Sequence, residues 1–334
     1  MKKLLVWDAD ETLWSGTLLQ GEQAFITPER IALVRELRDR GVLQSIASHN
    51  LYTEVMSVLS RYQIADCFLS VQANMPVTKS FMIKTIMEEL GIARLEDVVY
   101  VDDQPFNLSE VFKALPGVAV CLPNSIDVVV REFFTKENYT DEDRSRVARY
   151  RSEEARNRAS INYKGDYLEF LSTCDMTAQV RVPEEHEIDR VLDLIQRANR
   201  LSIMSAVVPE AELRADRQFI RACWSKDKFG DNGLIGVLYA RHNVVSIFVV
   251  SCTMQNKGIG SYLLGSVINE HLGSQLTVGW KPTEYNKPML QLLNYFGFKR
   301  DESMDEVLKD GIELYRLKAT QAVDLPYWIK PYER

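Results

Sequence analysis

Two aspartates separated by one residue, Asp8 and Asp10, follow directly on the apolar run of residues 4–7, and Thr12 comes two residues later. A carboxylate held at a strand end can take a phosphoryl group, but only where other groups offset the repulsion between anions. Such transfer needs a divalent cation, a proton donor for the leaving oxygen and a cation beside the transferring group. The chain carries candidates for each. Asp8 is placed as the nucleophile, and Asp10 as the general acid that later activates water. Thr12, Ser48, His49 and Asn50 are candidates for hydrogen bonds to phosphoryl oxygens. Lys79 opens a helix, where its ammonium group and nearby backbone N–H groups both meet negative charge. Asp102 and Asp103, with Asp8 and Asp10, make an oxygen-rich set suited to Mg²⁺. Taken singly, a DxD after a strand reads equally as a solvated loop, and Lys79 as a helix-surface lysine.

What positions these residues is a succession of strands and helices. Residues 3–7 (KLLVW) read as a strand, and 27–40 as a helix with Thr27 as N-cap, Pro28 at the first helical position and Gly41 past the end. Residues 44–47 predict a second strand, 52–62 a helix, 67–71 a short strand, 79–90 a helix and 98–101 a strand. Strands alternating with helices of this length imply a parallel sheet, whose active sites lie at the carboxyl ends of the strands. Asp8 and Asp10, residues 48–50, and Asp102 with Asp103 all fall there.

The length of 334 residues predicts two domains, and a hydrophobic fraction of 46% with 26% charged residues is that of a soluble globular protein. With a net charge of −7 and no basic stretch free of interleaved acids, a nucleic-acid surface is not expected. Nor is a membrane role: the longest apolar run, near residues 244–252, is short of a bilayer span, and Asp8 interrupts the opening run before it could serve as a signal-peptide core. A cytoplasmic protein is expected. The five cysteines, Cys67, Cys121, Cys174, Cys223 and Cys252, show no CxxC spacing and read as free thiols. The four histidines, His49, His186, His242 and His271, form no HExxH-like pair.

From about residue 134 to 166 the composition turns dense in both charges, with Thr140 and Asp143 resembling a capping box. A solvated linker helix is expected here. The second half then predicts a strand at 177–182, a helix at 185–197, strands at 233–240 and 244–250, and a helix at 257–270, the order of an α+β domain. The expected division is 1–135 for the catalytic domain, 136–175 for the helical linker, 176–320 for the second domain and 321–334 for a C-terminal tail.

DADET, a strand-end Ser48, Lys79 before a helix and VDDQP resemble, in order, the four motifs of the haloacid dehalogenase (HAD) superfamily. The resemblance implies a Rossmann-like parallel sheet and the roles already given to the motif residues. The segments 10–27 and 50–79 leave no room for a cap domain, and capless members suit large substrates, so a protein-bound substrate is expected beside a free phosphorylated small molecule.

Longer strings, WDADETLWSGTLLQG, LQSIASHN, VVYVDDQPFNLSEV, TDEDRSRVARYRSEEARNRA, RANRLSIMS and KFGDNGLIGVL, resemble the FkbH-like family (HAD subfamily IIIC) of polyketide and nonribosomal peptide pathways, over roughly residues 1–310. That resemblance implies dephosphorylation of 1,3-bisphosphoglycerate and transfer of a glyceryl unit to the phosphopantetheine thiol of an acyl or peptidyl carrier protein. Two features depart from it. The approach to Lys79 reads NMPVTKS where relatives have a tryptophan and a shorter path, and none of the cysteines lies in a HAD motif. A phosphatase acting on a phosphorylated pathway intermediate is therefore the alternative.

Residues 255–260 (QNKGIG), between a strand and a helix, resemble the (Q/R)xxGx(G/A) loop of GNAT acyltransferases, where glycines let backbone N–H groups approach the pyrophosphate of coenzyme A. This implies a capless HAD α/β domain followed by a GNAT-like α+β domain, with Gln255, Gly258 and Gly260 as the residues toward CoA or a phosphopantetheine arm. Many GNAT enzymes carry a tyrosine acid four residues before the glycine of the YFGF motif, where this chain has Leu293. Tyr285 and Tyr295 nearby read as packing residues. A domain that holds a pantetheine arm or a carrier without acylating is thus expected. Two alternatives remain: a CoA-dependent acyltransferase with an auxiliary HAD half, and a non-enzymatic carrier scaffold.

Overall fold

The computed structural model describes the chain apart from residues 1–3, 74–75, 93, 136–138, 140, 198–201, 205–207, 284–285, 305–310 and 333–334. Thr140, Tyr285 and parts of the NMPVTKS and RANRLSIMS strings lie outside the described residues. The chain divides into two compact units, Met1–Arg151 and Ser152–Arg334.

The first unit runs β1 (Leu4–Trp7), α1 (Pro28–Asp39), β2 (Leu43–Ser48), α2 (Tyr52–Arg61), β3 (Ser70–Ala73), α3 (Lys79–Glu89), β4 (Val98–Val101), α4 (Pro105–Ala114), β5 (Ala119–Cys121) and α5 (Ile126–Phe133). Its strands form a parallel sheet in the order β3-β2-β1-β4-β5. Both faces are covered, which is why β1 reads as an unbroken apolar run rather than an alternation. Leu5 and Trp7 pack with Val34, Val55 and Val129. Leu4 and Val6 face the opposite way, toward Met82, Ile83, Ile86 and Val111. Each such side chain contributes roughly 1.5–3 kcal/mol by leaving water. Helix α1 begins where Thr27 Oγ1 accepts the Arg30 N–H at 3.2 Å, with Pro28 supplying a fixed φ.

The third strand lies later than the pattern suggested. Residues 65–67 form a 3₁₀ turn, closed by the Cys67 N–H on the Ile64 carbonyl at 2.9 Å, and pairing with β2 starts at Ser70. Elements α4, β5 and α5 were not anticipated. Among the described residues no cap domain interrupts the unit. Between β1 and α1 there is a short flap, pinned where Ser15 and Phe25 exchange backbone hydrogen bonds at 3.0 Å.

Helix α6 (Asp141–Ile161) has residues in both units. It differs from the solvated helix expected of its composition: Asp143, Arg146 and Arg156 are buried. The reason is pairing. In the first unit Arg146 donates to Asp143 at 3.0 Å and to the Gly41 carbonyl at 3.2 Å. In the second, Arg156 donates to Asp227 and Asn232, each at 2.8 Å, and also to Glu153.

The second unit continues with α7 (Tyr167–Ser172), β6 (Met176–Arg181), α8 (Ile188–Arg197), β7 (Ser202–Met204), α9 (Glu210–Ala215), β8 (Ile220–Asp227), β9 (Gly230–Arg241), β10 (Val244–Val250), α10 (Ile259–Glu270), β11 (Gln275–Trp280), α11 (Lys287–Tyr295), β12 (Lys299–Arg300), β13 (Glu313–Lys318) and β14 (Ile329–Pro331). The sheet order is β12-β13-β11-β10-β9-β8-β6-β14, with β7 paired to β10. Strands β9 and β10 form a hairpin whose turn residues, His242 and Asn243, both have positive φ, the geometry that matches strand twist. Helices α10 and α11 cover one face and α8 the other, so this is the α+β architecture expected for the second half. The segment expected as a tail contributes β14, parallel to β6. Among the described residues no helix is long and apolar enough to cross a membrane.

Candidate active site

The strand order of the first unit reverses between β1 and β4, and ligand crevices form at the carboxyl ends of strands beside such a reversal. Asp8 follows β1 there, its N–H bound to the Val101 carbonyl at 2.8 Å, and Asp102 follows β4. A cleft of about 240 Å³ opens above them. Its lining includes Asp8, Asp10, Ser48, His49, Asn50, Lys79 and Asp103, with Leu19 and Gln20 from the flap.

Lys79 is not a surface lysine. It is 2% exposed, and its ammonium group donates to Asp8 and, at 2.7 Å, to the Ala47 carbonyl, with an Asp102 oxygen at 3.5 Å. It reaches this position because α3 starts at Lys79 under the Thr78 cap, and because the Ser80 N–H and hydroxyl are both held by the Glu110 carboxylate. Burial pushes the Asp8 carboxyl up to about 7 against the pull of Lys79, and the charge of Asp102 adds to the rise. Asp103 is also raised, by burial and by its neighbour Asp102.

The carboxylates of Asp8, Asp102 and Asp103 offer oxygens within 4.8 Å of one another, a donor set that fits a hard divalent cation such as Mg²⁺. Three groups that sequence reading missed orient Asp102. The Tyr100 hydroxyl donates to it, the Gln104 N–H donates at 2.7 Å, and Asn107 Nδ2 lies 3.0 and 3.2 Å from its two oxygens. Tyr100 was recoverable from strand periodicity, being two residues before Asp102 and on the same face. Its phenol is held well above the usual range by burial and by Asp102, which keeps it a donor. Gln104 and Asn107 stand at the start of α4, where side chains and free N–H groups meet loop acceptors.

Asp10 is not in that carboxylate cluster. Its Oδ1 accepts from Trp14 Nε1 and from Asn50 Nδ2, each at 2.9 Å. Ser48 Oγ accepts the Asn50 N–H at 3.1 Å, so its own proton is left to donate. Thr12 is buried outside the cleft lining, and its hydroxyl oxygen accepts the Asp103 N–H at 3.0 Å, which ties the loop after β1 to the loop after β4. His49 Nε2 donates to the Val77 carbonyl at 3.0 Å and so holds the segment leading to Lys79.

The cysteines of the first unit, Cys67 and Cys121, are not among the lining residues. Burial pushes both thiols up to about 11, far from the thiolate that attacks carbonyl carbon.

In the second unit, Gly258 caps α10 with φ of 87° and Gly260 lies in its first turn, so Gln255, Gly258 and Gly260 sit at the entry of that helix. Leu293 is fully buried in the core of this unit. Tyr295, expected to pack, is 75% exposed on α11, although its ring meets that of Phe296 in a T-shaped contact with centroids 5.1 Å apart.

No protein-family model and no curated protein sequence matches the chain. Solved structures do. The N-terminal part of the protein BF1531 from Bacteroides fragilis, containing a phosphatase domain and complexed with Mg, is 24% identical over 41% of this chain and 42% of its own length, with a TM-score of 0.36. The chain thus spans less than half of that relative. The ribosomal-protein-S18-alanine N-acetyltransferase from Escherichia coli is 13% identical over 44% of this chain and 97% of its own, with a TM-score of 0.33. A GNAT superfamily phosphinothricin acetyltransferase from Sinorhizobium meliloti, in complex with AcCoA, is 18% identical over 45% and 93%, with a TM-score of 0.32.

Proposed function

We propose that the first unit is a Mg²⁺-dependent phosphoryl-transfer enzyme of the HAD type that works through an aspartyl phosphate on Asp8. The observation that carries this reading is the buried Asp8 carboxylate, bonded to Lys79 and within 4.8 Å of the Asp102 and Asp103 oxygens at the mouth of a cleft. Asp8 attacks phosphorus, the bond to the leaving oxygen breaks, and Asp10 supplies that oxygen with a proton. With Oδ1 already accepting from Trp14 and Asn50, the proton would travel on Oδ2. Asp10 then takes a proton from the water that attacks the phosphoryl group, and inorganic phosphate leaves. Asp8, Asp102 and Asp103 would hold Mg²⁺, which supplies positive charge where phosphoryl oxygens gather.

The finer reading is that the substrate carries an acyl phosphate as well as a phosphoester, as 1,3-bisphosphoglycerate does, and that the acyl unit passes to a carrier protein. In that step the carrier thiolate attacks the acyl carbon and phosphate departs, while Asp8 removes the phosphoester. Two features support an external thiol: among the described residues no domain caps the cleft, and Cys67 and Cys121 are outside its lining with thiols raised to about 11. The second unit would then hold the carrier without acylating, having Leu293 where a tyrosine acid would stand.

The test combines the full chain with Mg²⁺, 1,3-bisphosphoglycerate and acyl or peptidyl carrier proteins, and measures intact carrier mass together with phosphate release. A glyceryl adduct supports the finer reading. Phosphate release without an adduct, lost in Asp8→Asn, leaves a phosphatase of a phosphorylated intermediate. Release that persists in Asp8→Asn removes the aspartyl-phosphate mechanism.

A further inference from the structure

Glycine loops that receive a pyrophosphate present free backbone N–H groups and empty space beside the glycines. In the second unit the space on the side-chain side of Gly258 holds the chain itself. A Cβ added at Gly258 would lie 2.8 Å from the Trp328 ring, and the Trp328 indole N–H donates to the Lys257 carbonyl at 2.9 Å. The cation of the loop is also spent. Lys257 is 5% exposed, with its ammonium group on the Glu153 carboxylate at 2.8 Å and the Thr253 carbonyl at 2.9 Å.

Trp328 belongs to a segment anchored along its length. The Asn269 side chain exchanges two hydrogen bonds with the backbone of Val323, at 2.8 and 3.0 Å. Leu325 packs so closely on Gly265 that a Cβ there would meet it at 2.7 Å. Past Trp328, Ile329 pairs with Met176 in the sheet, and the Tyr332 N–H reaches the Ala178 carbonyl at 2.9 Å. Gly258 and Gly265 of this region are therefore explained by close approach of a tryptophan and a leucine. A ligand on the side-chain side of Gly258 would meet the Trp328 indole, and one that recruits the Lys257 ammonium would compete with the Glu153 carboxylate.

We propose that the loop of residues 255–260 is the seat of the chain's own C-terminal strap, residues 323–332, and not a cradle for coenzyme A. The charged helix α6 takes part by supplying Glu153, held in place by Arg156. The strap closes the unit by fastening the entry of α10 to β6, which it pairs through its own strand β14.

The experiment is amide hydrogen exchange and thermal denaturation of the full chain, alone and with millimolar CoA, in the wild type, Trp328→Ala and Trp328→Phe. Wild-type protein should show neither a midpoint shift nor added protection of the 257–260 amides with CoA. Those amides should exchange about tenfold or more faster in Trp328→Ala, with Trp328→Phe between the two. A CoA-dependent rise in midpoint, or protection of those amides in the wild type, would overturn the proposal. So would identical exchange in all three proteins.

Discussion

The Lys79 ammonium group donates to the Asp8 carboxylate inside a site where Lys79 is 2% and Asp8 8% exposed. An ion pair this far from water is sensitive to loss of either partner, because the survivor is left charged and desolvated.

Lys79→Met should therefore lower kcat for phosphate release by about 10²–10³, the range seen when a preorganised charge is removed from a transition state. Lys79→Arg should not restore it, since a planar fork does not fit a point-charge site that also meets the Ala47 carbonyl. Steady-state kinetics on a generic phosphomonoester checks both.

Stability should depend on pH through Asp8. Its carboxyl ionises near 7 when folded against 3.8 as a free side chain, so between these values the folded protein binds the proton more tightly. The contribution to stability is full below about 4 and is lost as pH rises toward 7. Mg²⁺ needs the ionised form, so its stabilising effect should grow over the same window. Thermal midpoints from pH 5 to 8, with chelator and with Mg²⁺, measure this, and Asp8→Asn should flatten the difference.

Asn107→Ala removes a donor that spans both oxygens of Asp102. Groups that orient a ligating carboxylate are worth about 10–100-fold in metal affinity. The Mg²⁺ concentration for half-maximal activity should rise by that factor, while saturating Mg²⁺ recovers most of kcat.

Arg156 lies at 1% exposure among Glu153, Asp227 and Asn232. Arg156→Met should destabilise the second unit by about 3–5 kcal/mol by leaving Asp227 buried without its partner. Denaturant unfolding followed by tryptophan fluorescence would report the loss. Arg156→Lys should recover little, because one ammonium group cannot span three acceptors.

Much of the first unit was legible because its signals are local. An apolar run with both faces buried, a Thr-Pro helix start and polar residues at strand ends each follow from a few neighbouring side chains, and they locate Asp8, Ser48 and Asp102 without reference to the rest of the chain. The same holds for the α+β order of the second unit. Residues that orient a motif residue were harder to read, although they stand close to it in sequence. Gln104 and Asn107 matter through Asp102, and Trp14 through Asp10, because the turns after the strands point their donors at those carboxylates; Tyr100 alone followed from strand periodicity.

The charged stretch shows the physical reason most directly. Composition alone makes Arg146, Glu153 and Arg156 solvated, because an isolated charge avoids burial. Only the tertiary structure supplies the carbonyls and carboxylates that make burial tolerable. The glycines of the QNKGIG loop follow the same logic. The sequence by itself supplied a glycine at 258 and, through the loop it resembles, the expectation of a pyrophosphate there; the positive φ is a finding of the fold. What comes to lie there was decided by a tryptophan seventy residues further along, through contacts that no local pattern records.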